Sequence, residues 1–377
     1  MRGQVAAPTP SDSAPARDSS LGRLATVVPS DPEEVPGLST PSSRYTLTRD
    51  SLVWSSAVTL SDVLERVPGV FVARTGFTGL PEYVVYGGRG AAALEIFWDG
   101  VPYVSLGADT SYVDPSLITL WNIQRIDVEP LPGRIRIYLV SERHGDLRPR
   151  TQVNIVTGDF GTGGYTALFQ KRWPVGLGVD VGGDFLGSDG ASGPGRSDNR
   201  TDLWAKASWN PDPTTGATFQ IRRQRIESDA VTADNQQFGV LRRDATRRDV
   251  SLVLHKSSRP HGEGIGLRLG LLASAWFNDS LVDEQKVRTS FATLGVAGRR
   301  LSAEITGRVS DRWIASEIEA RVGLVPLDWV AVSALARARA LDGDRSDRRI
   351  DGSISLYRGP AFVTGTVSTG DIVQSPA

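Results

Sequence analysis

Few side chains in this sequence combine the types and the spacing that chemistry requires. The histidines are His144, His255 and His261; no two have the helical spacing of metal ligands, and HGEG at 261–264 is not the zinc-protease pattern. The absence of cysteine excludes disulfides, thiolate catalysis and cysteine-based metal sites. No nucleophile elbow or pair of catalytic carboxylates stands out. We therefore predict no catalytic residues, no metal, no cofactor and no enzymatic activity.

Two other clusters each allow a functional and a structural interpretation. Asp342, Asp344 and Asp347 carry the oxygen ligands that Ca²⁺ prefers, but the basic residues among them favour a solvated loop. The GGRG run at 87–90 has the glycines of a phosphate cradle, yet it lacks the Lys-Ser/Thr of a P-loop and precedes no clear helix. We expect close backbone packing there, with Arg89 paired internally.

The composition limits the classes of fold and partner. The 377 residues carry 42 basic and 43 acidic side chains, and this net charge of -1 gives no electrostatic reason to expect a nucleic acid partner. Forty glycines and 22 prolines favour a turn-rich, strand-rich chain. No stretch approaches ~18 uninterrupted apolar residues, so we expect no membrane-spanning helix, although a strand barrel would still cross a bilayer.

The N-terminal region predicts a flexible segment. Residues 1–50 contain seven prolines and eight serines with almost no hydrophobic periodicity, too little apolar surface to offset the entropy of ordering. Its one apolar patch is Leu24–Val28. The first ten residues lack the apolar core of a complete secretory signal, so the protein is either cytoplasmic or numbered from near a cleavage point.

Residues 51–150 have the signals of a compact α+β domain. Thr59 and Asp62 form a capping box, the apolar residues that follow recur at helical spacing through Val67, and Pro68 ends the helix. Short strand-like runs separated by glycine and proline follow at 70–72, 83–86, 94–98, 123–128 and 135–140.

From 151 to 377 the sequence alternates between apolar and polar residues. Within 313–324, for example, Ile318 and Val322 point to one side while Glu319 and Arg321 point to the other. Several of these strands reach about ten residues, the length that a tilted strand needs to cross a bilayer. We count about 13 strands, an odd number that places the two ends of this region on opposite faces.

The connections between these strands alternate in length. Short turns alternate with long polar connections, as in outer-membrane barrels with external loops and periplasmic turns. The predicted long connections are 187–200, 227–247, 277–286 and 341–349. The chain ends in polar residues that look like the start of another loop, so we expect the barrel to be incomplete here. A soluble β-sandwich also has alternating strands and is the alternative.

Four segments, in order, resemble the plug domain of TonB-dependent outer-membrane receptors. These segments are TLSDVLERVPGVFV (59–72), YVVYGGRG (83–90), LEIFWDGVPY (94–103) and LITLWNIQRIDVEPLPG (117–133). The matching motif residues, which we expect to be structural, are Pro68, Gly69, Arg89, Gly90, Asp99 and Gly100. For Asp99-Gly100 we predict a tight turn in which glycine supplies a positive φ and aspartate bonds its own backbone.

The resemblance implies an α+β plug domain followed by antiparallel transmembrane β-barrel strands, in a mainly β chain of the bacterial outer membrane. It implies a receptor that binds an extracellular solute and imports it with energy relayed by TonB, together with ExbB and ExbD. In this family a short apolar segment ahead of the plug pairs with TonB as an added strand. The candidate residues are Ala25, Thr26, Val27 and Val28. The alternative is an incidental apolar stretch in a tail.

Ligand selection in this family depends on apical plug loops and external barrel loops. Here the corresponding plug loops are 73–82 and 104–113. The candidate ligand contacts, expected to be exposed at loop tips, are Arg74, Phe77, Tyr103 and Tyr112. The ligand itself stays open between siderophore, cobalamin, glycan and peptide.

The sequence departs from the family pattern in one place. Pro132-Gly133 runs directly into RIRIYLVSERHG, so roughly a dozen residues that the family usually has before its final plug strand are missing. The alternative function is therefore an outer-membrane binding or structural β-barrel protein without active transport. A soluble periplasmic β-protein is a third alternative.

Overall fold

The computed structural model describes residues 45–74, 81–88, 90, 93–106, 113–159, 161–189, 198–229, 242–260, 263–278, 284–342, 345–358 and 361–370. Almost all of the regular structure in these residues is β-strand. The strands form a small mixed sheet, a two-stranded ribbon and one large antiparallel sheet. No helix among the described residues is long and apolar enough to cross a membrane.

The small sheet and its helices come first in the chain. Their elements are β1 (Tyr45–Thr48), α1 (Arg49–Val53), α2 (Leu60–Leu64), β2 (Val70–Ala73), β3 (Tyr83–Tyr86), β4 (Leu94–Trp98), β5 (Val101–Pro102), β6 (Ile123–Leu131) and β7 (Arg134–Ser141). The small sheet has the order β1-β6-β7-β4-β5, in which β4 and β7 are parallel. Strands β2 and β3 form the separate ribbon.

Local sequence explains why α2 begins where it does. The Asp62 carboxylate accepts hydrogen bonds from the backbone amides of Val58 and Thr59, each at 2.9 Å, which satisfies donors at the start of the helix. The helix ends at Leu64, earlier than the predicted Val67. Val67 is nevertheless buried in the core of the small sheet. Its backbone amide donates to the Leu64 carbonyl, so a single turn after the helix places its side chain there.

Strand β1 lies inside the segment that the sequence predicts to be flexible. Its pairing with β6 supplies the order, and the Thr46 hydroxyl donates to Asp127 at 2.7 Å. Both contacts join residues about 80 positions apart. Local composition therefore gave no sign of them, and the flexible segment predicted for 1–50 extends too far by at least the length of β1.

The large sheet contains thirteen strands in simple sequential order. They are β8 (Arg150–Thr157), β9 (Gly163–Arg172), β10 (Leu177–Ser188), β11 (Asp198–Asp212), β12 (Thr215–Asp229), β13 (Arg242–Ser257), β14 (Gly264–Asn278), β15 (Gln285–Ala297), β16 (Leu301–Ser310), β17 (Ile314–Leu327), β18 (Val330–Leu341), β19 (Arg345–Arg358) and β20 (Ala361–Gly370). Neighbouring strands pair antiparallel, and β8 and β20 form the two edges of this sheet in the described part of the chain.

The predicted alternation is confirmed, with the polarity of a membrane barrel. On β17, Ile318 is 58% exposed and Val322 41% exposed, whereas Glu319 and Arg321 are buried. The face turned to the surroundings is thus apolar and the covered face is charged, the reverse of a soluble protein. Exposed tryptophans stand near the short connections at Trp173, Trp209 and Trp329, as in the aromatic girdle of a barrel.

The large sheet curves around the small one. Residues of the small sheet and its turns contact Lys206 on β11 and Arg268 on β14, and they also contact Glu319 on β17 and Asp351 on β19. These strands lie far apart in the order of the large sheet. A sandwich of two facing sheets, the alternative interpretation, does not have this geometry.

One predicted long connection is wrong. Strand β18 ends at Leu341 and β19 begins at Arg345, so most of 341–349 is strand. Asp347 lies on β19 and pairs with Arg337 at 3.6 Å, and Asp342 accepts a hydrogen bond from the Trp313 amide. Their side chains are engaged by protein partners, and no group of three metal-ligating side chains occurs among the described residues.

Candidate functional site

The contact between the small and large sheets is dominated by charge. At its centre the Glu95 carboxylate on β4 accepts hydrogen bonds from Arg136 at 2.7 Å and from Arg339 at 3.0 Å. Arg337 bonds the same carboxylate at 2.5 Å. Burial alone would raise the pKa of Glu95, but Arg136 and three further arginines outweigh it and hold that pKa well below its usual value.

Arg136 joins Glu95 to the wall of the large sheet. Its guanidinium donates to both oxygens of Glu319, one of these bonds being 2.6 Å, in the bidentate geometry that arginine favours with carboxylates. Arg136 is only 1% exposed. Burial would lower the pKa of Arg136, but Glu319 and Glu95 outweigh it and raise the pKa, so this arginine remains charged.

A second bidentate pair lies beside the first. Arg321 on β17 donates two hydrogen bonds of 3.0 Å to Glu129 on β6. The Tyr138 hydroxyl also donates to Glu129 at 3.0 Å, and the Tyr138 ring stacks on Phe97 with centroids 5.3 Å apart. Burial raises the pKa of Tyr138 to about 12, so its hydroxyl keeps the proton that it donates.

A third pair extends the contact toward β19. Arg134 donates to Asp351 at 3.0 Å, and both side chains are 3% exposed. Burial lowers the pKa of Arg134 to about 10, which still leaves it protonated at neutral pH. Arg134 and Arg136 therefore project from β7 into one wall of the large sheet, with Glu95 between them on the neighbouring strand.

A contact made of buried ion pairs is specific in geometry but can be broken reversibly. A buried ion pair contributes little net stability, because desolvation offsets the attraction, yet it is costly to break by removing one partner. Two charged surfaces also hydrate well once they are separated, unlike two apolar ones. The charged part of the contact therefore fixes one arrangement of the two sheets and would be hydrated if the sheets separated.

The Asp99-Gly100 turn forms the opposite side of the contact. Both residues have positive φ, 46° and 70°, as a tight turn requires. The Asp99 carboxylate accepts from the Ser141 amide at 2.9 Å and the Ser141 hydroxyl at 2.7 Å, rather than from its own turn as predicted. The Gly100 carbonyl accepts from Arg268, whose guanidinium occupies the space that a side chain at position 100 would need.

Two small cavities lie between the two sheets where described residues line the contact. These cavities, one beside Asp99 and one beside Tyr103, measure about 30 and 40 Å³. Each has room for a water molecule rather than for a solute. The described part of the small sheet thus fills the region of the large sheet that it contacts.

Tyr103 does not lie at an exposed loop tip as predicted. It is 7% exposed, its hydroxyl donates to Gln224 at 2.9 Å, and the Arg247 guanidinium lies 3.6 Å from its ring centroid. The prediction is wrong because both partners of Tyr103 lie on the large sheet, more than 100 residues away in the sequence: Gln224 binds its hydroxyl and Arg247 covers its ring. Burial raises the pKa of Tyr103 above its usual value.

Arg74 lies at the end of β2 and is 39% exposed by side chain. It pairs with Asp62 at 2.8 Å, Glu65 at 3.4 Å and Glu82 at 3.5 Å. Burial opposes ionisation of Asp62, but hydrogen bonds from Thr59 and its neighbour, together with Arg74, outweigh it and lower the pKa of that carboxyl. Arg74 therefore already has three acidic partners.

The remaining predicted residues divide into two groups. Phe77, Arg89, Tyr112 and the Ala25, Thr26, Val27 and Val28 segment lie outside the described residues. Gly69 follows Pro68 with φ of 81°, and the Gly90 carbonyl accepts from the Ala93 amide at 2.9 Å, so both have backbone roles. Leu106, where the second apical loop leaves the described chain, packs in a cluster with Ile226 and Trp276 near the long connections.

The sequence prediction did not single out the charged contact. Glu95, Arg134 and Arg136 were unassigned, although Arg134 and Arg136 alternate with Ile135 and Ile137 along one strand. The alternation of charged and apolar residues on β7, together with the inward-facing Glu319 and Arg321 on β17, is the feature of the sequence that indicates a charged contact. Which arginine meets which carboxylate depends on how the two sheets dock.

Comparison with protein families agrees with this architecture. Residues 36–133 match the family model described as the TonB-dependent Receptor Plug Domain. This range covers most of the small sheet, which we call the plug from here on. A search of curated proteins finds no match.

Solved structures share the fold of the whole chain. The siderophore receptor PirA from Acinetobacter baumannii aligns with a TM-score of 0.62 at 12% identity, covering 86% of this chain and 60% of that one. The ferric yersiniabactin uptake receptor FyuA from Yersinia pestis gives 0.57 at 13% identity, covering 87% and 60%. The copper transporter OprC gives 0.60 at 12% identity, covering 87% and 61%. The chain thus spans about 60% of the length of these receptors.

The plug match and the inverted polarity of the large sheet lead to one conclusion about fold and location. Residues 36–133 match the plug domain of TonB-dependent receptors, the described chain has the fold of such a plug with part of its β-barrel, and the outward apolar face places it in the bacterial outer membrane. We call the large sheet the barrel wall below.

Proposed function

We propose that this chain acts as a TonB-dependent outer-membrane receptor that binds an extracellular solute and imports it. The observation that carries the proposal is the buried charged contact by which Glu95 and Arg136 of the plug meet Glu319 of the barrel wall. A plug held in this way closes the passage at rest. Water can hydrate its charged groups when the plug is displaced, while the small apolar clusters that Val101 and Leu106 form with the barrel wall must separate as well.

Movement of such a plug requires an external source of energy. Several buried ion pairs and the hydrogen bonds around them must separate together before water can replace them, and the apolar clusters beside them must open at the same time. In this proposal TonB, with ExbB and ExbD, supplies that energy by pairing with Ala25–Val28 in the periplasm and pulling the plug from its N-terminal end. Because strand pairing uses backbone hydrogen bonds, it tolerates many sequences at such a segment.

Ligand recognition is proposed at the loops that leave the plug at the long-connection end of the barrel wall. Phe77 and Tyr112 lie in these loops, and Arg74 begins the first of them. Tyr103 supports the second loop from below through its contact with Gln224. The solved relatives bind or transport siderophores and copper by their names, so ferric siderophores and copper head the panel of solutes for testing.

Whole-cell uptake tests the proposal. Cells that lack their own siderophore and copper receptors would express the full chain, and uptake of ⁵⁵Fe-loaded siderophores and of ⁶⁴Cu would be measured with and without TonB. We expect uptake of one probe to require TonB and to be lost on deletion of residues 20–30. Deletion of residues 9–19 is the length-matched control and should leave uptake intact. Uptake that persists without TonB would refute the energy coupling.

A second candidate function has its own supporting observation. Strands β6 and β7 close directly through Pro132-Gly133, with Leu131 opposite Arg134, where the family usually has a longer excursion. A plug with this short hairpin would suit an outer-membrane binding or structural protein without active transport. In that case the labelled probe would stay bound at the cell surface, and deletion of residues 20–30 would leave the amount of bound probe unchanged.

A further inference from the structure

A group of basic side chains interrupts the apolar outward face of the barrel wall on three strands. Its members are Arg223 and Arg225 on β12, Arg248 on β13, and Lys286 and Arg288 on β15, and all five are exposed. We call this group the outward basic patch. Charged side chains on the outward face of a barrel are costly in the middle of a bilayer and tolerated near its edges. The position of these five residues on their strands therefore indicates where the barrel wall meets the edge of the bilayer.

Strand register places these residues side by side. Arg223 is paired directly with Arg248, Arg248 with Ala275, and Ala275 with Lys286, so three cations share one level. Arg288 lies two residues along its strand from this level toward the β13–β14 connection, and Arg225 lies two residues along its strand toward the β12–β13 connection. Like charges placed directly opposite each other in a sheet repel, so the Arg223–Arg248 pair favours a bound anion.

The local carboxylates neutralise only part of this charge. Arg225 pairs with Glu227 and, at 3.6 Å, with Asp244, and Lys286 pairs with Glu284. Within the described part of the chain, Arg223, Arg248 and Arg288 have no carboxylate partner for their side chains; Arg248 instead lies 4.7 Å from the ring centroid of Phe277. Three guanidinium groups therefore remain for an external anion.

The level of the patch coincides with the edge of the apolar band. On β14 the outward residues Ile265, Leu267, Leu269 and Leu271 are 42–64% exposed, and the outward series continues to Ala275 at the level of the patch. The ten residue-to-residue steps from Ile265 to Ala275 span about 33 Å along a strand, or about 25 Å across the membrane for a tilt of ~40°. This equals the height of the apolar band in outer-membrane barrels, about 25 Å.

The patch also lies on the outer side of the membrane. It stands near the ends of β12, β13, β14 and β15 that are joined by 230–241 and 279–284, twelve and six residues, whereas 213–214, 258–263 and 298–300, with two, six and three residues, join the opposite ends. In outer-membrane barrels the longer loops are external. The anions at that level and on that side are the phosphate groups of the anionic glycolipid in the outer leaflet.

We propose that the outward basic patch binds the phosphate groups of an outer-leaflet glycolipid, with Arg223 and Arg248 as its main contacts. Arginine suits this role because its planar guanidinium donates two parallel hydrogen bonds to one phosphate. Phe277 packs beside Arg248 and provides the aromatic surface typical of the membrane interface. The site depends on the outer-membrane location alone and is independent of solute import.

Lipid binding to the purified full chain tests this proposal. Native mass spectrometry in detergent would measure the apparent affinity for bisphosphorylated lipid A, with fully dephosphorylated lipid A as the comparison. We expect the Arg223→Gln, Arg248→Gln double variant to bind lipid A at least tenfold more weakly, since each lost arginine removes charge-assisted hydrogen bonds worth about a factor of ten or more. Dephosphorylated lipid A should bind the wild type and this variant equally weakly.

The matched control is Arg348→Gln, which removes another outward-facing, exposed arginine on β19 that stands alone opposite Ala338. It should change the affinity by less than about twofold. The Arg223→Lys, Arg248→Lys variant, which keeps the charge but loses the bidentate geometry, should fall between wild type and the glutamine variant. Heat-modifiable mobility on gels checks that each variant is folded.

Three results would overturn the proposal. The double glutamine variant could bind lipid A as the wild type does, or the Arg348 control could lose as much affinity as the double variant. Inorganic phosphate at millimolar concentration could displace lipid A completely, which would show an anion site that does not require the lipid.

Discussion

Glu319→Gln removes one charge from the contact between plug and barrel wall while keeping the shape of the side chain. Arg136 would lose its bidentate partner but keep its 2.7 Å bond to Glu95. Breaking a buried ion pair by removing one partner costs about 3–5 kcal/mol, and because Glu95 remains we expect a value near the lower limit, about 3 kcal/mol. Since about 1.4 kcal/mol is a factor of ten, the displaced plug should become roughly 100-fold more populated.

The absence of cysteine allows this population to be measured directly. Ser208 is 6% exposed on the inward face of β11, and it lines a cavity together with Asp99 and Val101 of the plug. Ser208→Cys therefore introduces a buried thiol at the contact between plug and barrel wall with little change in side-chain size. Its rate of reaction with a water-soluble maleimide, under conditions where the plug closes faster than the thiol reacts, reports how often the plug opens.

Glu227→Gln in the same Ser208→Cys background is the matched control. Glu227 pairs with Arg225 on the exposed outer face, with side chains 42% and 47% exposed, and such pairs contribute about 0–1 kcal/mol. We expect its labelling rate to stay within about fivefold of the background. Equal rates for Glu319→Gln and the background would refute the argument that the buried ion pairs hold the plug.

Four further predictions follow from the same contacts. The depressed pKa of Glu95 means that its ion pairs stabilise the fold above the unfolded pKa of about 4.3 and lose that contribution as pH falls below it. The stability difference between wild type and Glu95→Gln, measured by tryptophan fluorescence on denaturant titration, should therefore be constant from pH 5 to 8 and shrink below about pH 4. Gly100→Ala should cost about 1–2 kcal/mol in the same titration, because φ is 70° and Arg268 occupies the space of the new methyl group; unchanged stability would contradict the turn geometry. Tyr103→Phe should cost about 1 kcal/mol by leaving Gln224 without its donor, and solute affinity in the uptake assay should be unchanged because the side chain is buried. Arg74→Ala should lower stability by less than about 1 kcal/mol, and a loss of solute affinity larger than tenfold would support ligand contact by this residue.

The sequence predicted the elements of the fold well because short-range patterns determine them. The predicted runs 83–86 and 94–98 coincide with β3 and β4, and the predicted run 123–128 lies within β6. Alternation of apolar and polar residues also predicted which side chains face outward, since the side-chain period of a strand is two. Ile318 and Glu319 on β17 illustrate both faces.

The parts that could not be predicted depend on contacts between distant residues. Strand β1 is ordered by β6, about 80 residues away, and Tyr103 is buried by Gln224 and Arg247 on the barrel wall. Nothing near either residue in the sequence indicates these partners. The charged contact has the same origin, because the inward positions of Glu319 and Arg136 were readable while their pairing was not.

Site-directed spin labelling of β14 in a reconstituted bilayer tests the central claim most directly, namely that this strand has one face in lipid and one face toward the plug. Single cysteines at Leu267, Leu269 and Leu271 would be compared with cysteines at Arg268, Leu272 and Ser274. We predict that the first set is accessible to oxygen dissolved in the bilayer and shielded from a water-soluble nickel chelate, and that the second set is shielded from oxygen. Equal accessibility of the two sets, or outward labels that meet the nickel chelate instead of oxygen, would contradict the account.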